Sequence, residues 1–190
     1  MFGRLFKPKR PAPATPVGTV VYAIGDVHGR ADLLRALLQR IVVETACQPE
    51  ASGARCVIIG LGDYVDRGPQ SREVIDILVD LSGVQSLETH FLRGNHDQTL
   101  LDFLDDPQHG PAWCEFGGRE ALMSYGVRPP PGRATPEAWT AARDALAAAM
   151  PAQHVAFFKG LKYCVELGDY FFAHAGARPG LPLRPRPATT

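Results

Sequence analysis

The sequence predicts an α/β fold with a largely parallel strand region, on three observations. Short apolar runs alternate with longer stretches of helical periodicity. Four of the apolar runs lead directly into a metal-capable residue: Asp26, Asp63, Asn95 and His174. The 190 residues are 45% hydrophobic and 21% charged, so one domain can bury a core without disulfide staples.

The elements follow in order. Residues 1–18 read as a disordered lead-in, because Pro8, Pro11, Pro13 and Pro16 interrupt any helix. The first ten residues carry basic charge but no apolar segment of secretory type, so no signal peptide is expected. Val20 to Ile24 is fully apolar and ends at Gly25-Asp26, the pattern of a buried strand. Ala31 to Cys47 repeats leucine and branched residues at helical spacing, with Arg35, Gln39 and Arg40 on the opposite face. Cys56 to Ile59 is a second buried strand. Ser71 is the expected N-cap of the next helix, and Gly83 lies near its end. His90 to Leu92 is a third strand, followed by a helix through Leu100, Leu101, Phe103 and Leu104.

The middle of the chain changes character. Residues 110–160 read as a helical cap beside the sheet: a helix around Glu120–Tyr125, the hard break Pro129-Pro130-Pro131-Gly132, a helix from Thr135-Pro136-Glu137 to about Met150, and a short helix over 151–161. Residues 162–167 and 170–173 are two strands, and Gly168-Asp169 predicts an antiparallel hairpin between them. The folded domain is thus expected over 19–178, with a proline-rich tail over 179–190.

Composition excludes several classes. Net charge is +0, so no broad basic field awaits nucleic acid. No apolar stretch reaches the roughly 20 residues of a membrane helix. Cys47, Cys56, Cys114 and Cys164 form no Cys-x-x-Cys pair, which points to free thiols and a cytoplasmic setting.

Chemistry is concentrated where the strands end. In open α/β sheets, ligands gather beyond the carboxyl ends of strands, so these ends can converge on one spot. Gly25-Asp26-Val27-His28-Gly29 sets Asp26 and His28 two residues apart, free to point the same way. Gly62-Asp63-Tyr64-Val65-Asp66-Arg67-Gly68, Gly94-Asn95-His96-Asp97 and His174-Ala175-Gly176 complete the set. Oxygen and imidazole donors without thiolates suit Mn, Fe or Zn. Two such ions clamp the attacking and leaving oxygens of an in-line displacement at phosphorus. Arg67 offers a fork matched to phosphate oxygens. A histidine poised by a carboxylate delivers a proton near neutral pH. His90, His109 and His154 are expected to be structural or solvated, and Trp113, Trp139 and Phe116 to pack the helical cap.

These motifs resemble the calcineurin-like metallophosphoesterase superfamily, in the style of its bacterial serine/threonine phosphoprotein phosphatases. Asp66-Arg67-Gly68 marks that branch, while Asp97 stands where it usually has glutamate. The resemblance implies a metallo-dependent phosphatase fold, a β-sheet sandwich core flanked by helices. It implies Asp26 and His28 on one metal, Asp63 bridging, and Asn95 and His174 on the second. It also implies His96 as general acid with Asp66 behind it, Arg67 (with Asn95 and His96) on the phosphate, and attack by a hydroxide activated by the metal pair, manganese first among the candidates. The expected substrate is a phosphoprotein or small phosphoester. A dinucleoside polyphosphate is the alternative, and an inactive metal- or phosphate-binding relative a third.

The same resemblance implies one more histidine on the second metal, from a Gly-His segment after His174. No histidine follows His174 before Thr190. The fold is therefore expected to be incomplete at the C-terminus and the second metal under-ligated. Arg178, Arg184 and Arg186 are the arginines available to replace a second phosphate-binding arginine from that region.

Overall fold

The computed structural model describes residues 12–47, 54–177, 179, 180 and 183. Three strands form one parallel sheet in the order β1 (Thr19–Ile24), β2 (Arg55–Gly60), β3 (Glu88–Phe91). The register runs from Thr19 opposite Arg55 to Ile24 opposite Gly60, and from Val57 opposite Glu88 to Gly60 opposite Phe91. All three strands therefore end at the same edge of the sheet, the condition for their following loops to meet. Helices α1 (Ala31–Cys47) and α2 (Ser71–Ser82) make the crossovers that parallel pairing demands. The third loop opens α3 (Asn95–Asp105).

Beyond α3, a short 3₁₀ turn leads into α4 (Gly110–Trp113), a π-turn over Cys114–Gly118, and α5 (Arg119–Ser124). Then come α6 (Pro136–Ala149) and α7 (Ala152–Gly160). Strands β4 (Cys164–Leu167) and β5 (Tyr170–Ala173) pair as an antiparallel hairpin. Leu92 bridges to Lys162 in parallel, which ties the hairpin segment to the main sheet.

Alternate residues of β2 face the same side of the sheet. Val57 and Ile59 are fully buried in a cluster with Leu92 and with Val165 and Leu167 of the hairpin. A larger cluster joins Leu34 of α1, Val74, Ile75 and Leu78 of α2, Leu100 and Phe103 of α3, and Trp113, Leu122, Trp139, Leu146 and Phe158 of the helical segment. The helices and the hairpin thus bury two separate sets of apolar side chains against the sheet. Among the described residues no helix is long and apolar enough to cross a membrane.

Several expectations shift. Strand β3 begins at Glu88 rather than His90, since the Glu88 carboxylate accepts from Arg55 Nε at 2.6 Å and stays in the ladder. The strand expected from Lys162 starts at Cys164, because Lys162 is spent on the bridge to Leu92. Ser71 is not an N-cap. It is the first helical residue after Gln70, and its hydroxyl accepts from the Asp66 N–H at 3.1 Å. Thr135 does cap α6, accepting from the Ala138 N–H, with Pro136 at the first position.

Of the expected lead-in, residues 1–11 lie outside the described residues. Ala14 exchanges hydrogen bonds with Asp169 at the β4–β5 turn. Of the expected tail only Pro179, Gly180 and Leu183 are described, so Arg178, Arg184 and Arg186 also fall outside.

Candidate active site

Three strand-end loops are stapled together by main-chain bonds. Val27 and His28 N–H groups donate to Asp63 O at 3.1 and 2.9 Å, and Gly29 N–H donates to Tyr64 O at 2.9 Å. The first loop therefore lies across the second. Asp97 ties in the third. Its carboxylate accepts from the N–H groups of Asp63 (2.9 Å), Tyr64 (3.0 Å) and Gly94 (2.9 Å) and is fully buried. Burial pushes this carboxyl up to about 6, and the three N–H groups pull against it. His96 N–H donates to Asp63 Oδ1 at 3.0 Å. Gly94 is glycine for space: a Cβ there would overlap the Asp63 carboxylate.

Four non-glycine residues hold positive φ: His28 (43°), Asp63 (55°), Asp66 (73°) and Arg67 (65°). Each costs roughly 1–3 kcal/mol and persists because the surrounding bonds over-determine it. The described residues have no others, so the backbone strain is confined to this site.

Around Asp63 the donors converge. His28 Nε2 lies 3.7 Å and His174 Nε2 3.4 Å from the same oxygen, Asp63 Oδ2. Asp26 Oδ2 is 3.8 Å from His28 Nε2, and Asn95 Oδ1 is 3.2 Å from His174 Nε2. Asp26, Asp63 and His174 place donor atoms within 4.8 Å of one another, as do His28, Asp63 and His96. Both outer imidazoles are oriented from behind. His28 Nδ1 donates to Val65 O at 2.9 Å and His174 Nδ1 to Leu61 O at 2.8 Å, which in the neutral ring makes each Nε2 the unprotonated nitrogen. His28 Nε2 is buried without a partner. A buried, pre-oriented lone pair beside a carboxylate oxygen fits a divalent cation.

Next to this cluster stands a hydrogen-bonded row. His96 Nδ1 donates to Asp66 Oδ2 at 2.8 Å, and Arg67 Nη2 donates to His96 Nε2 at 3.1 Å. The His28 and His96 rings meet edge to face at 4.7 Å. Asp66 holds the imidazolium form of His96 above its usual range, with burial opposing. Burial raises the Asp66 carboxyl, and the bonds from His96 and Trp113 lower it. Arg67 itself is exposed and stands at the mouth of the site.

All eight residues singled out in the sequence are brought into this one region. His90, His109 and His154 are not: His90 pairs with Glu88, His109 is exposed, and His154 bridges Tyr125 and Asp76. Trp139 packs against Phe103, and Phe116 is exposed. Trp113, expected only as packing, also donates Nε1–H to Asp66 Oδ2 at 2.8 Å. Asp97 and Ser71 join it as residues whose place at the site the sequence did not reveal. The available signal was chemical: a buried indole N–H must find an acceptor.

The family model "Calcineurin-like phosphoesterase" matches residues 19–181. The chain is 27% identical over 159 residues to a bis(5'-nucleosyl)-tetraphosphatase (asymmetrical) of Anoxybacillus flavithermus, covering 82% of this chain and 56% of that protein. It is 37% identical over 83 residues to serine/threonine-protein phosphatase BSL2 of Arabidopsis thaliana, covering 42% of this chain and 8% of that protein. A crystal structure of "a putative diadenosine tetraphosphatase" superposes with TM-score 0.52 at 20% identity, over 90% of this chain and 56% of that one. That likeness is one of fold. The chain spans about half the length of the tetraphosphatase and less of the plant phosphatase.

Proposed function

The chain belongs to the calcineurin-like phosphoesterase family, and from that premise we propose that it is a protein serine/threonine phosphatase dependent on two divalent metal ions. Phosphoester hydrolysis is the family's chemistry; the phosphoprotein substrate is our inference. The observation that carries it is the row Arg67–His96–Asp66 beside Asp63, in the Asp-Arg-Gly wording that resembles the phosphoprotein phosphatase branch.

Asp26 and His28 would hold one ion, Asn95 and His174 the other, and Asp63 both. Manganese is the metal proposed, given oxygen and imidazole donors without a thiolate. When bound, such a pair supplies positive charge for the phosphate and a water acidic enough to attack phosphorus.

The chain's own groups do the rest. Arg67 turns its guanidinium from His96 Nε2 to the phosphate oxygens, a bidentate match. That frees His96 Nε2 to carry the proton for the leaving serine or threonine oxygen. Asp66 Oδ2 keeps the ring in the tautomer that presents Nε2 to the substrate. The N-terminus of α3, 11 residues long, adds its positive dipole end beside Asn95 and His96. A cytoplasmic setting is proposed as well, supported by the free thiols of Cys56, Cys114 and Cys164.

A second reading, hydrolysis of dinucleoside polyphosphates, is favoured by the similarity to the bacterial tetraphosphatase over 82% of the chain. Turnover of p-nitrophenyl phosphate with manganese tests phosphoester hydrolysis. A phosphoserine peptide set against diadenosine tetraphosphate separates the two substrates.

A further inference from the structure

Trp113 stands 47 residues from Asp66 in sequence and donates its indole N–H to that carboxylate at 2.8 Å. The bond lands on Oδ2, the oxygen that also accepts from His96 Nδ1 at 2.8 Å. Asp66 Oδ1 is buried and has no partner. The carboxylate is thus held by two donors on one oxygen. Without the indole, His96 alone would hold it, and the two chemically equivalent oxygens could exchange by rotation about Cβ–Cγ.

The indole is itself rigidly placed. It is 1% exposed, and its ring centre lies 5.0 Å from that of Phe103. Gly118 closes it from another side, since a Cβ there would collide with the ring. Four residues past Trp113, Gly117 (φ 111°) turns its carbonyl to accept the Arg67 N–H at 3.0 Å. A Cβ at Gly117 would press on the Arg67 backbone at 2.7 Å. The helical segment after α3 therefore grips Asp66 by its side chain and Arg67 by its main chain. Both are strained residues of the site.

We propose that Trp113 is a positioning residue for hydrolysis: its indole N–H fixes the Asp66 carboxylate and, through it, the His96 ring. The proposal rests on the phosphoesterase reading above. Two variants test it in the manganese-loaded full chain: Trp113→Phe, and replacement of Trp113 by 3-benzothienylalanine, which keeps the ring shape and puts sulfur where the N–H stood. The second holds the test open if the first fails to fold. The expected result is a kcat on phosphopeptide about 10- to 100-fold lower, with KM little changed. In an Asp66→Ala background the same replacements should have almost no further effect.

Unchanged kcat in the benzothienyl variant overturns the proposal. So does an equal loss in the Asp66→Ala background, because the indole would then act elsewhere. The indole N–H proton resonance gives a readout independent of turnover. It should exchange slowly with solvent and shift on Asp66→Ala, and an unmoved resonance overturns the proposal. If the unmodified protein hydrolyses no phosphoester, the functional reading falls, and the resonance alone decides the role of Trp113.

Discussion

The two halves of the site are built differently. On one side Asp66, His96 and Trp113 are buried, at 0%, 5% and 1% exposure, and share Asp66 Oδ2. On the other side Asp26 and Asn95 are exposed, and carboxylates and imidazoles crowd around Asp63 Oδ2. The first half is finished by the protein's own packing. The second has lone pairs and negative charge aimed at one place, an arrangement that a cation completes. On the proposed mechanism, the proton-delivering half would be pre-organised by the protein alone, and the other half would take its final form on binding metal.

That contrast can be broken from either side. The largest effect belongs to Asp63→Asn, which alters the carboxylate common to the two residue groups that would hold metal. It should abolish hydrolysis of every substrate and lower the metal stoichiometry measured by calorimetry. Activity and stoichiometry both unchanged would end the two-metal assignment. Next comes His96→Asn. Loss of a general acid costs about 10²–10⁴ in rate when the leaving group needs a proton. The drop should be large on phosphoserine peptide and much smaller on p-nitrophenyl phosphate, whose phenolate leaves unaided. Equal losses on the two substrates would mean that His96 serves another purpose.

Metal addition should also act on stability, through the open half. At a free manganese concentration 100 times Kd, binding adds about 2.7 kcal/mol to the unfolding free energy. Thermal unfolding should show a rise that His28→Ala and His174→Ala reduce and Trp113→Phe leaves intact. A smaller, structural effect is expected at Asp97. Asn at that position keeps the shape but turns an amide N–H₂ against a backbone N–H. The cost should be about 1–3 kcal/mol in urea denaturation, and no loss would mean that the three backbone bonds count for little.

The buried half makes a pH prediction whose sign follows from Asp66. Its hydrogen bond raises His96 above the ordinary 6.5. The acid form is then present below that raised value and is lost as pH rises through it. Asp66→Asn removes the cause, so the alkaline limb of kcat on phosphopeptide should move to lower pH. A limb that stays in place would assign it to another group.

Much of this was legible in the chain because it is local. Apolar runs ending in Gly-Asp, Gly-Asp and Gly-Asn gave the parallel strands and the residues at their ends. Parallel pairing then forces those ends to one edge, which groups Asp26, Asp63 and Asn95. What stayed hidden depends on contacts distant in sequence. Trp113 looked like core because indoles usually are; its N–H meets Asp66 only when α4 folds back over the second loop. Ser71 looked like a cap, since Ser before a helical run usually is one, but the tight loop after Asp66 takes its hydroxyl instead. Asp97 read as a variant of a motif residue, whereas its role is to tie the second and third loops together.

The proposed activity is hydrolysis of a phosphoprotein by the Asp66–His96–Arg67 row beside a metal pair. Its most direct measurement is the kcat/KM of the manganese-loaded protein on a phosphoserine peptide and on diadenosine tetraphosphate, side by side. The phosphopeptide should give the higher value. A higher value for diadenosine tetraphosphate, or turnover of neither, would contradict it.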